Sequence, residues 1–323
     1  MSVFTGLGGV RVSVPDGDTA GEIPGYTRTY DPDVLLSKTI DGLLFELQCR
    51  SYIAGGPQRI TWGGFNYVNA TDPGTGFQWA YNIISSALYP MNGGNFSTLS
   101  GFQNAPVEDG NILGGVPYIC ASDLLDTWVR NDNLAIITTV KPANWGDMTD
   151  TVVPTPLTTT RLSGFVTRAE RIIGYNGNDH IIQQWNSIVT PVGDYSGFPQ
   201  GLFCDNTAYG PGGSFTICKS VNLTTGATTV VTPPSDGTLT YSQTQPRMWT
   251  NAGGTQCFGV YSPLSLMGAN GFLGGRKSIL ANSFHFRDVE PIVPGSVDVP
   301  VFYCWGDETT TIAALRQAYG DFP

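Results

Sequence analysis

The chain has 323 residues, only 13% of them charged, and its acids outnumber its bases 26 to 16 for a net charge of −10. So few Lys and Arg cannot offset phosphate repulsion, which excludes a nucleic-acid partner and disfavours docking on anionic lipid. A hydrophobic content of 41% excludes disorder, and no stretch is long enough to suggest insertion into a membrane.

Gly (41) and Pro (22) punctuate nearly every apolar run. They lack the every-third-residue Gly period of collagen, so the texture reads as many strands closed by tight turns. Residues 1–40 carry turns at Pro15-Asp16-Gly17-Asp18 and Ile23-Pro24-Gly25-Tyr26 and are expected to form an N-terminal arm or edge segment. The rest, 41–323, is expected to be one large domain. Strands are predicted over 43–49, 59–62, 65–69, 77–85, 134–141, 169–174, 180–191, 214–222, 227–232, 256–261, 278–287 and 299–305. Gly63-Gly64 and the stretch 222–227 read as hairpin turns. Without helices between the strands, the pattern indicates an all-β fold, a large antiparallel β-sandwich. Two helical segments are expected. One is a short turn over 122–129. The other is a clear terminal helix over 309–320, opened by a Thr cap and closed by Gly320, sealing a sheet edge or an open sandwich end.

Residues 1–14 show neither the basic nor the apolar region of a leader peptide. The charge-poor, Thr-, Ser- and Asn-rich composition fits proteins exposed outside cells, and resembles phage virion proteins of the tail and fibre class. Both hints are met by a protein made without a leader and then displayed on a virion or extracellular surface. Its expected partners are copies of itself or other assembly proteins, and a cell-surface glycan.

Six cysteines occur, none in a C-x-x-C pair, and no zinc, P-loop, Rossmann or G-x-S-x-G motif is present. No metal or cofactor is expected. Buried free thiols are the favoured reading of the cysteines. A disulfide between Cys204 and Cys218 is the alternative, because Gly210-Pro211-Gly212-Gly213 lies between them and two antiparallel strands could bring them together. Of the two histidines, His285 sits between Phe284 and Phe286 and reads as structural. His180 follows Asn176-Gly177-Asn178-Asp179 and is expected at a solvated strand start, with an Asp179–His180 pair as the chemically interesting option. Asp307-Glu308 complements the dipole of the terminal helix, and Glu108-Asp109 reads as a turn. Three glycosylation triplets, at Asn69, Asn95 and Asn222, are what an Asn-, Ser- and Thr-rich chain makes by chance. The long weakly patterned stretches 86–133 and 262–277 are the expected site-bearing loops.

Several segments together resemble bacterial extracellular proteins with a galactose-mutarotase-like β-supersandwich. They are Ile60-Thr61-Trp62 through Asn69, Thr71-Asp72-Pro73-Gly74, Phe77-Gln78-Trp79-Ala80-Tyr81, Thr138 through Trp145, Phe258 through Pro263, and Tyr303 through Asp307. The resemblance implies a supersandwich and a sugar-related site. It also departs: the family's pattern has a His and an Arg near Asp72, where this chain has Pro73 and Thr75 or Gly76, and a Glu after Asn92, where it has Gly93-Gly94. Loss of titratable groups favours binding over turnover. The ligand-binding candidates are therefore Asp72, Gln78, Trp79, Asn92, Asp109, Trp145 and Tyr209. Were the chain an enzyme, Asp72, Asp109 and His180 would be its catalytic candidates.

Overall fold

The computed structural model describes residues 22–30, 33–68, 77–85, 102–105, 122–141, 143–144, 166–189, 200–209, 214–231, 240–242, 245–263, 272–276, 281–288 and 296–323. They form an all-β, sandwich-like fold of antiparallel sheets with a single C-terminal helix.

The largest sheet has ten strands. In chain order they are β1 (Tyr26–Thr29), β8 (Asp123–Arg130), β9 (Ala135–Lys141), β11 (Val166–Tyr175), β12 (Asn178–Val189), β14 (Ile217–Val221), β15 (Thr228–Val231), β17 (Arg247–Thr250), β18 (Cys257–Tyr261) and β21 (Ser296–Gly306). Their spatial order is β1-β8-β9-β11-β12-β21-β18-β17-β14-β15. A four-stranded sheet runs β2 (Asp33–Ile40), β3 (Leu43–Arg50), β4 (Gly56–Trp62), β5 (Phe65–Asn66). A seven-stranded sheet has the order β10 (Ala143–Asn144), β7 (Phe102–Ala105), β6 (Phe77–Ser85), β13 (Gln200–Tyr209), β20 (Ala281–Asp288), β19 (Phe272–Arg276), β16 (Thr240–Ser242).

Turn chemistry fixes the hairpins. Gly63 and Gly64 have φ of 57° and 83°, and Asn176 and Gly177 have 46° and 79°. Positive φ at both central residues matches the right-handed twist of the flanking strands. Period-2 alternation does the rest. Along β11, Thr167, Ala169, Arg171 and Ile173 are buried while their neighbours are partly exposed. That inner face meets the four-stranded sheet, where Phe45 stacks on Trp305 at 4.4 Å between ring centroids. Leu36, Leu47, Ile60, Tyr67, Ile182 and Tyr303 complete the core around this pair.

The segment expected to begin with a helical turn, 122–129, is instead strand β8. Ser122-Asp123 imitates a helix cap, but Thr127, Trp128 and Val129 pair with both β1 and β9, and Trp128 is buried with Ile23 and Ile137. Non-local pairing overrides a weak local signal. The terminal helix α1 (Glu308–Asp321) forms, but its cap is Asp307, whose side chain accepts from the Thr310 N–H. Gly320 lies within the last turn and does not end it. Nor does α1 seal an edge: it packs on β21, β18 and β12, the middle of the ten-stranded sheet. Arg316 holds its flank to the carbonyls of Leu223 and Thr224, and Gln317 to those of Tyr175 and Asn176.

Cys204 and Cys218 do not share a hairpin. Cys204 lies on β13, between β6 and β20, while Cys218 lies on β14, between β15 and β17, in the other sheet. Cys218 is a free buried thiol, as are Cys49, Cys257 and Cys304. Burial pushes the Cys49 and Cys257 thiols up to about 11 and Cys218 up to about 12.

Candidate functional site

Three places among the described residues are compared for their polar chemistry. The first is a junction where the β2–β3 turn, the start of β12 and the cap of α1 meet. His180 Nε2 lies 2.8 Å from Asp41 Oδ2. Asp41 and Gly42 have φ of 51° and 77°, a primed turn that aims the carboxylate across the sheets. The imidazole lies 4.6 Å from the Trp305 ring centroid and edge-on to Trp62 at 5.3 Å. Trp62 in turn donates its indole N–H to the Ile40 carbonyl, 3.0 Å away.

His180 is thus buried, contrary to the solvated position expected for it. Its partner is not Asp179, which takes Lys38 at 2.6 Å. The other ring nitrogen, Nδ1, is buried without a hydrogen-bond partner, and a Cβ added at Gly306 would sit 3.2 Å from it. Nε2 thus pairs with a carboxylate that is itself largely exposed, and Nδ1 lies beside Gly306. Hydrogen bonds from the Thr310 backbone N–H and from its hydroxyl hold the Asp307 carboxyl below the usual carboxylate range. This junction joins three elements.

The second place is Arg171, fully buried on the inner face of β11. Its Nε donates to Gln184 Oε1 at 2.9 Å and its Nη1 to Thr138 Oγ1 at 3.2 Å. Nη2 has no partner, and no described carboxylate pairs with the guanidinium. Burial depresses its basicity. These amide and hydroxyl partners make it a structural tie between β9, β11 and β12.

The third place is a face of the seven-stranded sheet, defined by strand register. Asp205 is directly opposite His285 on one side and Ala80 on the other. The same parity puts Phe203 opposite Arg287 and Asn82, and Thr207 opposite Ser283 and Gln78. Tyr209, Gln103 and Arg276 belong to this face too. The alternate register positions hold Leu202, Cys204, Asn206, Ile83, Trp79, Asn282, Phe284 and Phe286. Five residues of the seven strands are Asp, Arg or His: Asp205, Arg276, His285, Arg287 and Asp288. Four of them share one register parity, and Asp288, opposite Leu202, has the other.

Gln78 and Trp79 lie on β6 and Tyr209 on the neighbouring β13, with Gln78 level with Thr207 and Trp79 level with Asn206. Asp72, Asn92, Asp109 and Trp145 lie outside the described residues. Asp41, Arg171, Asp205 and Arg287 were not singled out by sequence. Their roles follow from partners distant in the chain, and only the alternation within 200–209 carried a signal.

No family model matches the chain, and no curated protein matches it. Among solved structures, the chain is similar to the Slr1438 protein from Synechocystis sp. PCC 6803, with a TM-score of 0.40, 12% identity, and 86% of this chain and 98% of that one covered. It is also similar to a Klebsiella pneumoniae protein provisionally named an aldose 1-epimerase, with a TM-score of 0.40, 8% identity, and 89% and 87% covered. A third is the 4-alpha-glucanotransferase from Thermococcus litoralis, with a TM-score of 0.33 and 7% identity, of which the chain spans 39%. Likeness at this level carries no functional argument.

Proposed function

We propose that this protein recognises glycans without turning them over, on an outward-facing β-sandwich. The observation that supports the reading is the amide- and aromatic-rich make-up of the seven-stranded sheet, in which strand register places Gln78, Asn82, Gln103, Phe203 and Tyr209 on strands that neighbour one another. Sugar binding needs such a mixture, because hydroxyls hydrogen-bond to planar amides while C–H faces pack on aromatic rings.

The setting we propose is a virion, as a phage tail, fibre or decoration component present in repeated copies. The low charge and Gly-, Thr- and Asn-rich composition motivate it. A glycan array probed with the full chain, followed by titration of Gln78→Ala, tests the function. Capture of a defined glycan class and its loss in the variant are expected; a blank array sinks the reading. Mass measurement in solution tests the assembly, and a strict monomer at all concentrations argues against it.

A carbohydrate-active enzyme is the second reading, and one observation favours it: the register pairing of Asp205 with His285. Such a pair is a general acid–base set in outline. Polysaccharide turnover abolished by Asp205→Asn would put this reading first.

A further inference from the structure

We propose that the Asn176–Gly177 turn is a self-modification site, where loss of the Asn176 amide releases the C-terminal end of α1.

Asn-Gly steps occur at 92–93, 176–177 and 270–271, and the second lies among the described residues. Asn before Gly is the least shielded arrangement for this chemistry, because Gly has no side chain beside its own amide nitrogen. Asn176 and Gly177 form the exposed tip of the β11–β12 hairpin, and a Cβ built on Gly177 meets nothing within 4 Å. The reaction needs only these two residues and water. The Gly177 nitrogen attacks the Asn176 Cγ, and its proton passes through water to the departing amide nitrogen. A C–N bond forms, the Cγ–Nδ2 bond breaks, and ammonia leaves behind a five-membered succinimide. Water then adds to one of the two ring carbonyls and a ring C–N bond breaks, which yields aspartate or isoaspartate. Ring closure requires the Asn176 backbone to leave its left-handed turn, with φ of 46°. It therefore proceeds when the hairpin tip opens locally.

The partners of this turn give the modification its consequence. Asn176 Nδ2 donates to Asp321 Oδ2 at 2.9 Å, at the end of α1. The Tyr175 hydroxyl donates to the same carboxylate. Gln317 Nε2 donates to the Asn176 and Tyr175 carbonyls at 3.2 and 3.4 Å, and Asn178 Nδ2 donates to Gln317 Oε1 at 3.0 Å. The last turns of α1 are thus fastened to this hairpin tip. An aspartate at 176 replaces a donor with a second carboxylate facing Asp321, and adds negative charge where the helix dipole is already negative. Isoaspartate also reroutes the main chain through the side-chain carbon, which displaces the carbonyl that Gln317 holds. Both products undo the same fastening.

The test ages the full chain in mildly alkaline buffer and follows it by site-resolved tandem mass spectrometry and native hydrogen exchange. Aspartate and isoaspartate should accumulate at position 176. Asn176→Gln, whose longer side chain cannot close the five-membered ring, should stay unmodified there. Asp321→Ala frees the amide and should speed conversion at 176 but not at 92 or 270. Fresh Asn176→Asp should lose about fivefold in protection of the amides near the end of α1, the scale of one hydrogen bond, with the central amides of β11 and β12 unchanged. A native chain that keeps its Asn176 amide while the urea-unfolded chain loses it overturns the inference. So does an end of α1 as well protected in the converted chain and in Asn176→Asp as in the fresh protein.

Discussion

The ten-stranded and seven-stranded sheets bring their charged residues together in different ways. In the ten-stranded sheet, side chains fix them: Arg171 is tied by Gln184 and Thr138, and His180 meets Asp41 beside Trp62 and Trp305. In the seven-stranded sheet, strand register makes Asp205 level with His285 and Phe203 level with Arg287. A charged residue is therefore no guide to function by itself; the strands on either side decide what it meets.

The comparison can be broken from the structural side first. Trp305→Ala removes the ring that Phe45 stacks on and His180 packs against, and should cost about 3–5 kcal/mol in chemical denaturation. Gln184→Leu strips the buried Arg171 guanidinium of its Nε partner and should cost about 2 kcal/mol. Arg171→Met, which removes the buried charge itself, should cost less than Gln184→Leu; the reverse order would show that Arg171 has a use beyond its ties.

The buried thiols give a pH dependence. Folding raises Cys49 and Cys257 from 9.0 to about 11 and Cys218 to about 12, chiefly by burial. The unfolded chain releases these protons first. Stability is therefore fully present below pH 9 and lost as pH rises through the folded values, by about 1.4 kcal/mol per pH unit for each thiol. Denaturation midpoints between pH 8 and 10.5 check the trend. A thiol-specific reagent at pH 8 should leave the buried Cys49, Cys218, Cys257 and Cys304 unlabelled until the protein unfolds.

Asp307→Ala should lower stability by about 1 kcal/mol through loss of the helix cap, with Asp307→Ser recovering most of it. The smallest expected effect on stability is that of Gln78→Ala on the seven-stranded sheet, which should weaken glycan binding while moving the thermal midpoint by less than about a degree or two. A large loss of stability would instead give Gln78 a packing role.

Much of the fold was legible because period-2 alternation and Gly-containing turns are local. Strands such as Ala135–Lys141, Cys257–Tyr261 and Ser296–Gly306 fall near their predicted positions. Gln200–Tyr209 was missed, since Gly201, Asp205 and Asn206 read as turn formers, yet it is a central strand of its sheet. Ser122–Val129 was misread because a cap-like start competes with pairing partners far along the chain. The sites were less legible for the same reason. Asp41 and His180 are 139 positions apart, and Asp205 meets His285 only through register. Spacing in sequence cannot express either pairing.

Lys38 has a consequence for assembly. It sits on β2, the outer strand of the four-stranded sheet, with the parity of the buried Leu36 and Ile40, and its ammonium is held by Asp179 on β12. A long outer strand with free backbone groups invites another chain to add to it and propagate into fibres. A charge turned inward on that strand penalises such addition, because a flush foreign strand would desolvate the ammonium or break its pair. The molecule thus carries a built-in guard against uncontrolled stacking at β2, which directs any ordered self-association to other surfaces.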